Sequence, residues 1–286
     1  MIDLHTHSNV SDGDLSPAEL IAAAAKQGLS AIALTDHDTI QGLKSAEETA
    51  AKHSIRFIPG IELAIDWPAA LGDFHLLGLG LTRPSPAFLD AVDRLARSRE
   101  ARNQEILKRL HALGIHADYE EVRAFSGGGS IGRPHFASLL ISRGLVKNHE
   151  QAFTRYLGRD KPLFVPKKTL AFDRAVALIK ESRGITVLAH PMSLYLAWGR
   201  LPGFVKGLKN RGLDGLEAWH PTAKPRSCKR LEALGRSLGL YVTEGSDFHG
   251  AARLDRKLGH SSGDREIADS VLDALPELCA PLMSRD

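Results

Sequence analysis

The chain has 286 residues, 43% of them hydrophobic and 25% charged, with a formal net charge of +3. That is the composition of a soluble globular protein able to bury a full core, as one large α/β domain or two ordinary ones. No apolar run approaches the roughly 18–20 residues that span a bilayer, no secretory leader is visible, and Cys228 and Cys279 are far apart without metal-binding spacing, which predicts reduced thiols in a cytoplasmic protein.

The stretch "IDLHTHSNVSDGDLS" starts at residue 2. Ile2 and Leu4 alternate with Asp3, His5 and His7, so a strand here carries apolar residues on one face and imidazoles on the other. Taken alone, it could equally be an edge strand with its histidines in water. If His5 works, a cleavable leader is excluded, because cleavage would remove it. "SPAELIAAAAKQG" follows as a helix with Ser16 as N-cap, Pro17 at the first turn and Gly28 as the stop. Further strands are predicted in "AIALT" (31–35), "RFIPGIE" (56–62), "GITVLAHP" (184–191), "DGLEAWH" (214–220) and "LYVTEGSDFH" (240–249), each after a helical segment. Strands alternating with helices in this number argue for a barrel of parallel βα units rather than a doubly wound sheet.

One join breaks the pattern. "LAIDWPAALGDF" between Glu62 and His75 is too short and too rich in Pro and Gly for a crossover helix, so 57–65 and 75–81 are read as a hairpin. That puts His75 on the same rim as Glu62. Residues 100–165 fit no βα unit and read as helices ("ARNQEILKRLHALG", "RPHFASLLISRGL", "NHEQAFTRYLG") separated by a flexible "SGGGS" at 126–130. The expected architecture is therefore α/β: a barrel of residues 1–99 and 166–286, with a helical insertion, 100–165, capping its mouth. Basic residues concentrate at 94–109 and 155–168, as a solvated helix face plus a basic loop, or as a surface that draws in a phosphorylated substrate.

The active site of such a barrel lies at the carboxyl ends of its strands. There the sequence places His5, His7 and Asp12; His37 in "TDHD"; Glu62; His75; His190; and Asp247 and His249 in "SDFH". A single histidine would be read as structural, but this many groups at one rim are not accidental. Imidazole with carboxylate suits Mn, Fe or Zn, several hard carboxylates keep Mg in play, and the absence of thiolates excludes a closed structural zinc site. So many ligands imply two or three divalent ions with a bridging carboxylate, an arrangement that activates water and stabilises both ends of an in-line displacement at phosphorus.

"DLHTHSNVSDG", "LTDHDT", "GIE" with "FHLLGLG", "VLAHP" and "SDFHG" together resemble the PHP (polymerase and histidinol phosphatase) metallophosphoesterases over nearly the whole chain. "GRPHFA" (132–137) and "PLFVPKK" (162–168) are similar to the branch of 3′,5′-nucleoside bisphosphate phosphatases and 5′→3′ exoribonucleases. The resemblance implies a distorted (β/α)7-type barrel. It also implies one metal on His5, His7, Glu62 and Asp247, a second on Asp12, His37 and His249, and a third on Glu62, His75 and His190. Manganese is the ion expected, with His190 and His249 counted among the catalytic residues beside the metal-activated water. The wider family often has His where Asp12 stands, which makes the second site here harder in character.

Arg133 and His135, at a helix start after a glycine arm, are the candidates for binding phosphate. Lys161, Lys167, Lys168 and His220 are further candidates, each readable also as an ordinary loop lysine or rim histidine. The activity implied is hydrolysis of the 3′-phosphate of a nucleoside 3′,5′-bisphosphate, with a 5′→3′ exoribonuclease on short 5′-phosphorylated RNA as the alternative and histidinol-phosphate phosphatase as the third. A metal-poor regulatory module or an amidohydrolase barrel fits the full ligand set less well. The expected partner is a small phosphorylated nucleotide or short RNA, with no membrane and no stable protein partner.

Overall fold

In the computed structural model, which describes residues 1–68, 72–126 and 129–279, strands and helices alternate as the patterning predicts. Ser16 caps α1 (Pro17–Lys26): its hydroxyl accepts from the Glu19 N–H while the Glu19 carboxylate accepts from the Ser16 N–H. Gly28 then takes φ +82°, which stops the helix at no steric cost.

Seven strands form one sheet in chain order: β1 (Ile2–Asp3), β2 (Ala31–Leu34), β3 (Arg56–Ala64), β4 (His75–Leu79), β5 (Ile185–Leu188), β6 (Gly215–Trp219) and β7 (Tyr241–Glu244). Neighbours are parallel except around β4, which runs antiparallel to both β3 and β5. The expected hairpin is therefore present, with Ala64 opposite His75; residues 69–71 of its connection lie outside the described residues. The sheet nearly closes on itself. Thr6 bridges Phe248 in parallel, the His7 N–H donates to Phe248 O at 2.9 Å, and the Asp247 N–H donates to His5 O at 2.8 Å.

The pleat sorts side chains into two layers. Ala31, Ala33, Ile58, Leu77, Leu79, Ile185 and Val187 point into the barrel, where Ile267, Leu272, Leu275 and Leu278 from the C-terminal segment close its amino end. Ile32, Leu34, Leu216 and Ala218 point outward, against α1 and α2 (Leu43–His53) on one side and the later helices on the other. The inward parity of Ile58 also carries Glu62, and that of Leu77 and Leu79 carries His75. Polar groups thus occupy the upper layer of a barrel whose lower layers are apolar.

The insertion is reached along α3 (Pro86–Ala112), a single helix of 27 residues that passes residues 99 and 100 without a break. What changes along it is the partner. Phe88, Ala91, Val92 and Leu95 pack on the barrel, whereas Ile106, Leu107 and Leu110 pack with Phe136, Leu139, Leu140, Leu157 and Leu163 in a separate core. That second core is built by α4 (Tyr119–Ala124), α5 (Arg133–Ser142), α6 (His149–Ala152) and a π-helical turn at Phe153–Leu157. Of the "SGGGS" stretch, residues 127 and 128 lie outside the described residues. Among the described residues no helix is long and apolar enough to cross a membrane.

Candidate active site

The first two ligand candidates are aimed by the residue between them. The Thr6 hydroxyl donates to Ala33 O at 2.6 Å, on the outer side of the strand, so His5 and His7 both face inward and their Nε2 atoms meet at 3.1 Å. Gly245 makes room for this: a Cβ there would lie 2.3 Å from the Cβ of His5. Asp3 pins the two rim segments together by accepting N–H bonds from Ser246 at 3.0 Å, His5 at 3.2 Å and Gly259 at 2.8 Å.

Glu62 is the hub. Its Oε2 lies 3.0 Å from His37 Nδ1, 3.3 Å from His7 Nε2 and 3.4 Å from His5 Nε2; its Oε1 lies 2.8 Å from His190 Nε2 and 2.9 Å from His75 Nδ1. Asp247 Oδ1 stands 3.1 Å from His7 Nε2 and 3.5 Å from both His5 and His249. Asp12 completes the far side, with Oδ1 3.3 Å from His249 Nε2 and Oδ2 3.9 Å from His37 Nε2. All nine predicted ligands therefore converge. Their donor atoms fall into overlapping sets, each within 4.8 Å: His7, Asp12, His37 and His249; His37, Glu62 and His75; His5, Glu62 and His190; and His5, His220 and Asp247. His37 thus lies within reach of both Asp12 and Glu62.

Divalent cations fit this donor set. Glu62 Oε2 and His37 Nδ1 are buried without a hydrogen-bond partner, a costly state unless a further group satisfies them. Burial alone would push His7 down, but the Asp247 and Glu62 carboxylates beside it raise it to about 10. Conversely, the imidazoles hold Glu62 and Asp247 well below the usual carboxylate range against the upward push of burial. The rim demands positive charge, from protons or from metal. With only nitrogen and oxygen donors and several carboxylates, it suits hard-to-borderline ions.

Sequence reasoning missed the groups that hold these ligands. Glu217, 1% exposed, accepts from His5 Nδ1 at 2.9 Å through Oε1 and from the His190 backbone N–H at 2.6 Å through Oε2. This leaves His5 Nε2 free for a metal. Arg256 donates to Asp247 O at 3.0 Å and to Asp247 Oδ2, which also meets His220 Nε2 at 3.1 Å; Oδ1 is left facing the imidazoles. His220 is therefore buried beneath Asp247, not placed at the pocket mouth. Asp36 fixes the loop leading to Asp12, accepting from Ser8 N at 2.8 Å, Ser8 Oγ at 2.6 Å and Ser11 Oγ at 2.7 Å. His190 and Asp247 have φ of +26° and +50°, strained values that persist at about 1–3 kcal/mol each only where the surroundings dictate them. Glu217 and Arg256 supply that constraint.

On the insertion side, Asp38 accepts from Arg99 at 3.0 Å and from Lys167 at 2.6 Å, tying α3 and the returning loop to the strand end that bears His37. Arg99 also donates to His37 O at 2.7 Å and Ser130 Oγ at 2.8 Å. Of the loop lysines, Lys167 turns inward, while Lys161 and Lys168 are exposed. His135 Nδ1 accepts from the Gly132 N–H at 2.9 Å, and its ring lies in the field of Asp12. Arg133 stacks over Phe153 and Phe164, 5.6 and 6.0 Å from their centroids. A cavity of about 180 Å3 opens at this seam between Val10, Thr39, Arg99, Tyr119 and Ser130.

A seven-stranded mixed barrel whose rim gathers six imidazoles and three carboxylates is the framework of a metal-dependent phosphoesterase. The chain belongs to the PHP domain family, which it matches over residues 3–157. It is 34% identical to a 5′-3′ exoribonuclease of Haemophilus influenzae over 247 residues, 86% of this chain and 89% of that one. It is 30% identical to a 3′,5′-nucleoside bisphosphate phosphatase of Chromobacterium violaceum over 282 residues, 98% of this chain and 94% of that one. The fold superposes with a TM-score of 0.84 on a Bifidobacterium adolescentis crystal structure described as a metal-dependent phosphoesterase, at 25% identity, covering 99% of this chain and 98% of that one.

Proposed function

We propose that the protein hydrolyses the 3′-phosphate of nucleoside 3′,5′-bisphosphates, giving a nucleoside 5′-monophosphate and phosphate, with manganese as the working ion. The observation that carries this reading is a division of charge. The ligand cluster is centred on Glu62, His135 of the insertion lies in the field of Asp12, and Arg133 opens the same helix two residues earlier. One phosphate would meet the cluster and the other the insertion. The C. violaceum relative, aligned over nearly the full length, supports the same reading.

His5, His7, Glu62 and Asp247 would hold one ion, Asp12 with His37 and His249 a second, and Glu62, shared with the first, would hold a third with His75 and His190. Bound ions would supply Lewis acidity at the phosphoryl oxygens and lower the pKa of the attacking water. The chain's own part is positional. His249 Nδ1 meets Asp247 O at 2.7 Å and His190 Nδ1 meets Ser193 Oγ at 2.8 Å, so each ring presents its Nε2 to the rim in a fixed tautomer. The insertion would cover the mouth and limit water there.

A second reading has support in the H. influenzae relative: stepwise removal of nucleotides from the 5′ end of RNA. Both reactions break the O3′–P bond of a nucleotide, and they differ only in whether the phosphorus carries another nucleoside. Initial rates with Mn on adenosine 3′,5′-bisphosphate, 3′-AMP, 5′-AMP, histidinol phosphate and a short 5′-phosphorylated RNA test the choice. The bisphosphate is expected to give the highest kcat/KM. A higher value on RNA would transfer the assignment to the exonuclease, and a preference for 5′-AMP or histidinol phosphate would overturn both.

A further inference from the structure

The two loops that leave the rim after β5 and β6 carry charge of one sign. From His190 to Leu213 and from Ala218 to Leu231 the chain has eight Lys or Arg and no Asp or Glu, although its 37 basic and 34 acidic residues nearly balance. Arg200, Lys224 and Arg226 are exposed and form no ion pair or side-chain hydrogen bond among the described residues. Arg200 and Lys224 are the N-caps of the helices Leu201–Asn210 and Pro225–Ser237, neither of which has an acid in its first turn. That is the reverse of what a helix dipole favours, so helix stability does not account for these cations.

Aromatic rings stand among them. Tyr195 is 78% exposed with φ +51°, a left-handed backbone that an aromatic residue rarely adopts. Its ring rests on the backbone of Gly72, where a Cβ would lie 2.5 Å from the ring. Two residues earlier, Ser193 Oγ meets His190 Nδ1 at 2.8 Å and donates to Asp73 O at 2.9 Å. The ring is therefore tied through a short, braced stretch to a rim imidazole, and burial does not explain why it is there. Trp198, half-buried, lies 4.0 Å beneath the guanidinium of Arg230, which joins the β5 loop to the helix after β6. Free cations interleaved with aromatic faces are what a single-stranded nucleic acid needs: the cations follow its phosphates and the rings stack on its bases.

We infer that the rim ends of β5 and β6 form a docking surface for single-stranded RNA on the 3′ side of the cut, with Tyr195 as the stacking platform and Arg200, Lys224 and Arg226 on the phosphates. The inference rests on the exonuclease reading, in which the reacting phosphorus carries a further nucleoside through O5′. A nucleoside bisphosphate has both phosphates placed by the metal rim and the insertion and leaves this surface unused. A longer chain would continue across it.

The test uses the full-length protein with Mn. One variant removes charge (Arg200→Gln, Lys224→Gln and Arg226→Gln together), Tyr195→Ala removes the ring, and Tyr195→Phe keeps it. Turnover is measured on adenosine 3′,5′-bisphosphate and on a 5′-phosphorylated octanucleotide RNA. Binding is read by fluorescence anisotropy on the same RNA with a methylphosphonate first linkage, which resists hydrolysis. Tyr195→Ala should weaken RNA binding by roughly 5- to 150-fold, the range of one lost base–aromatic stack, while Tyr195→Phe stays close to wild type. The charge variant should lower the slope of log affinity against log salt by about 2, because each phosphate contact on a single strand contributes about 0.7. In every variant kcat/KM on the bisphosphate should stay within about threefold of wild type while that on RNA falls with the affinity. Unchanged RNA affinity and salt slope, or equal losses on bisphosphate and RNA, would overturn the surface. Binding to phosphatidylglycerol vesicles that depends on these residues, with RNA binding unaffected, would assign it to a membrane instead. If RNA binds through these residues but neither substrate is hydrolysed, the surface stands and the proposed reactions fall. If every variant degrades RNA as wild type does, the exonuclease reading stands and the surface falls.

Discussion

Replacing Glu217 by Gln keeps shape and volume at the centre of the barrel while removing a charge, and it should loosen the metal rim without unfolding the chain. The carboxylate accepts two hydrogen bonds at once, from His5 Nδ1 at 2.9 Å and from the His190 N–H at 2.6 Å. An amide has one carbonyl oxygen, so one of these donors must face an NH2 group and is left unsatisfied in a site that is 1% exposed. Orphaning a buried donor costs about 1–3 kcal/mol, and loss of a carboxylate behind a ligand histidine typically costs roughly 10–100-fold in metal affinity or activity. Glu217 stands behind ligands of two different groups, so Glu217→Gln should weaken Mn binding by about 10–100-fold and lower kcat with little change in KM. Competition against a fluorescent chelator, with circular dichroism as the fold check, reads the affinity directly. Metal affinity within about threefold of wild type, well short of that range, would refute the claim that Glu217 orients His5 and His190.

His7→Ala and Asp247→Ala each remove a rim ligand and should reduce phosphate release to background while the far-UV spectrum stays native; wild-type rates in both would dismantle the ligand assignment. Asp38→Asn should loosen the tie between insertion and barrel. Burial pushes the Asp38 carboxyl up, but Lys167 and Arg99 more than reverse this and hold it far below its usual range. Its folded pKa is thus below the unfolded value near 3.9, so it contributes stability that is present above about pH 4 and lost as pH falls further. Urea midpoints measured from pH 7 to pH 2.5 should therefore fall less steeply below pH 4 in Asp38→Asn than in wild type, and parallel curves would contradict this.

Much of the site could be read from the chain because its ligands sit where strands end, and strand ends are marked by motifs such as "HTH", "TDHD" and "SDFH". The reversed strand was legible too, since a short Pro- and Gly-containing join cannot hold a crossover helix. The supporting groups were not. Glu217 is one acid in an apolar strand, and only barrel closure brings it behind His5, 212 positions away in the chain. The available signal was its parity: a charge between Leu216 and Ala218, which point outward, has to point inward and be satisfied there. Arg256 lies in an irregular loop with no periodicity to place it. The division of α3 between two cores was invisible because helical patterning continues through Arg99 and Glu100 while the packing partner changes.

The claim that the Glu62-centred rim holds catalytic divalent ions is tested most directly by counting them. Metal per chain should be measured for wild type and Glu62→Gln after reconstitution with Mn and desalting, alongside phosphate release from the same samples. Wild type should retain at least two equivalents, and Glu62→Gln should lose at least one of them together with nearly all activity, because Glu62 meets five imidazoles through its two oxygens. Less than one equivalent in wild type, or full activity in Glu62→Gln, would contradict the account.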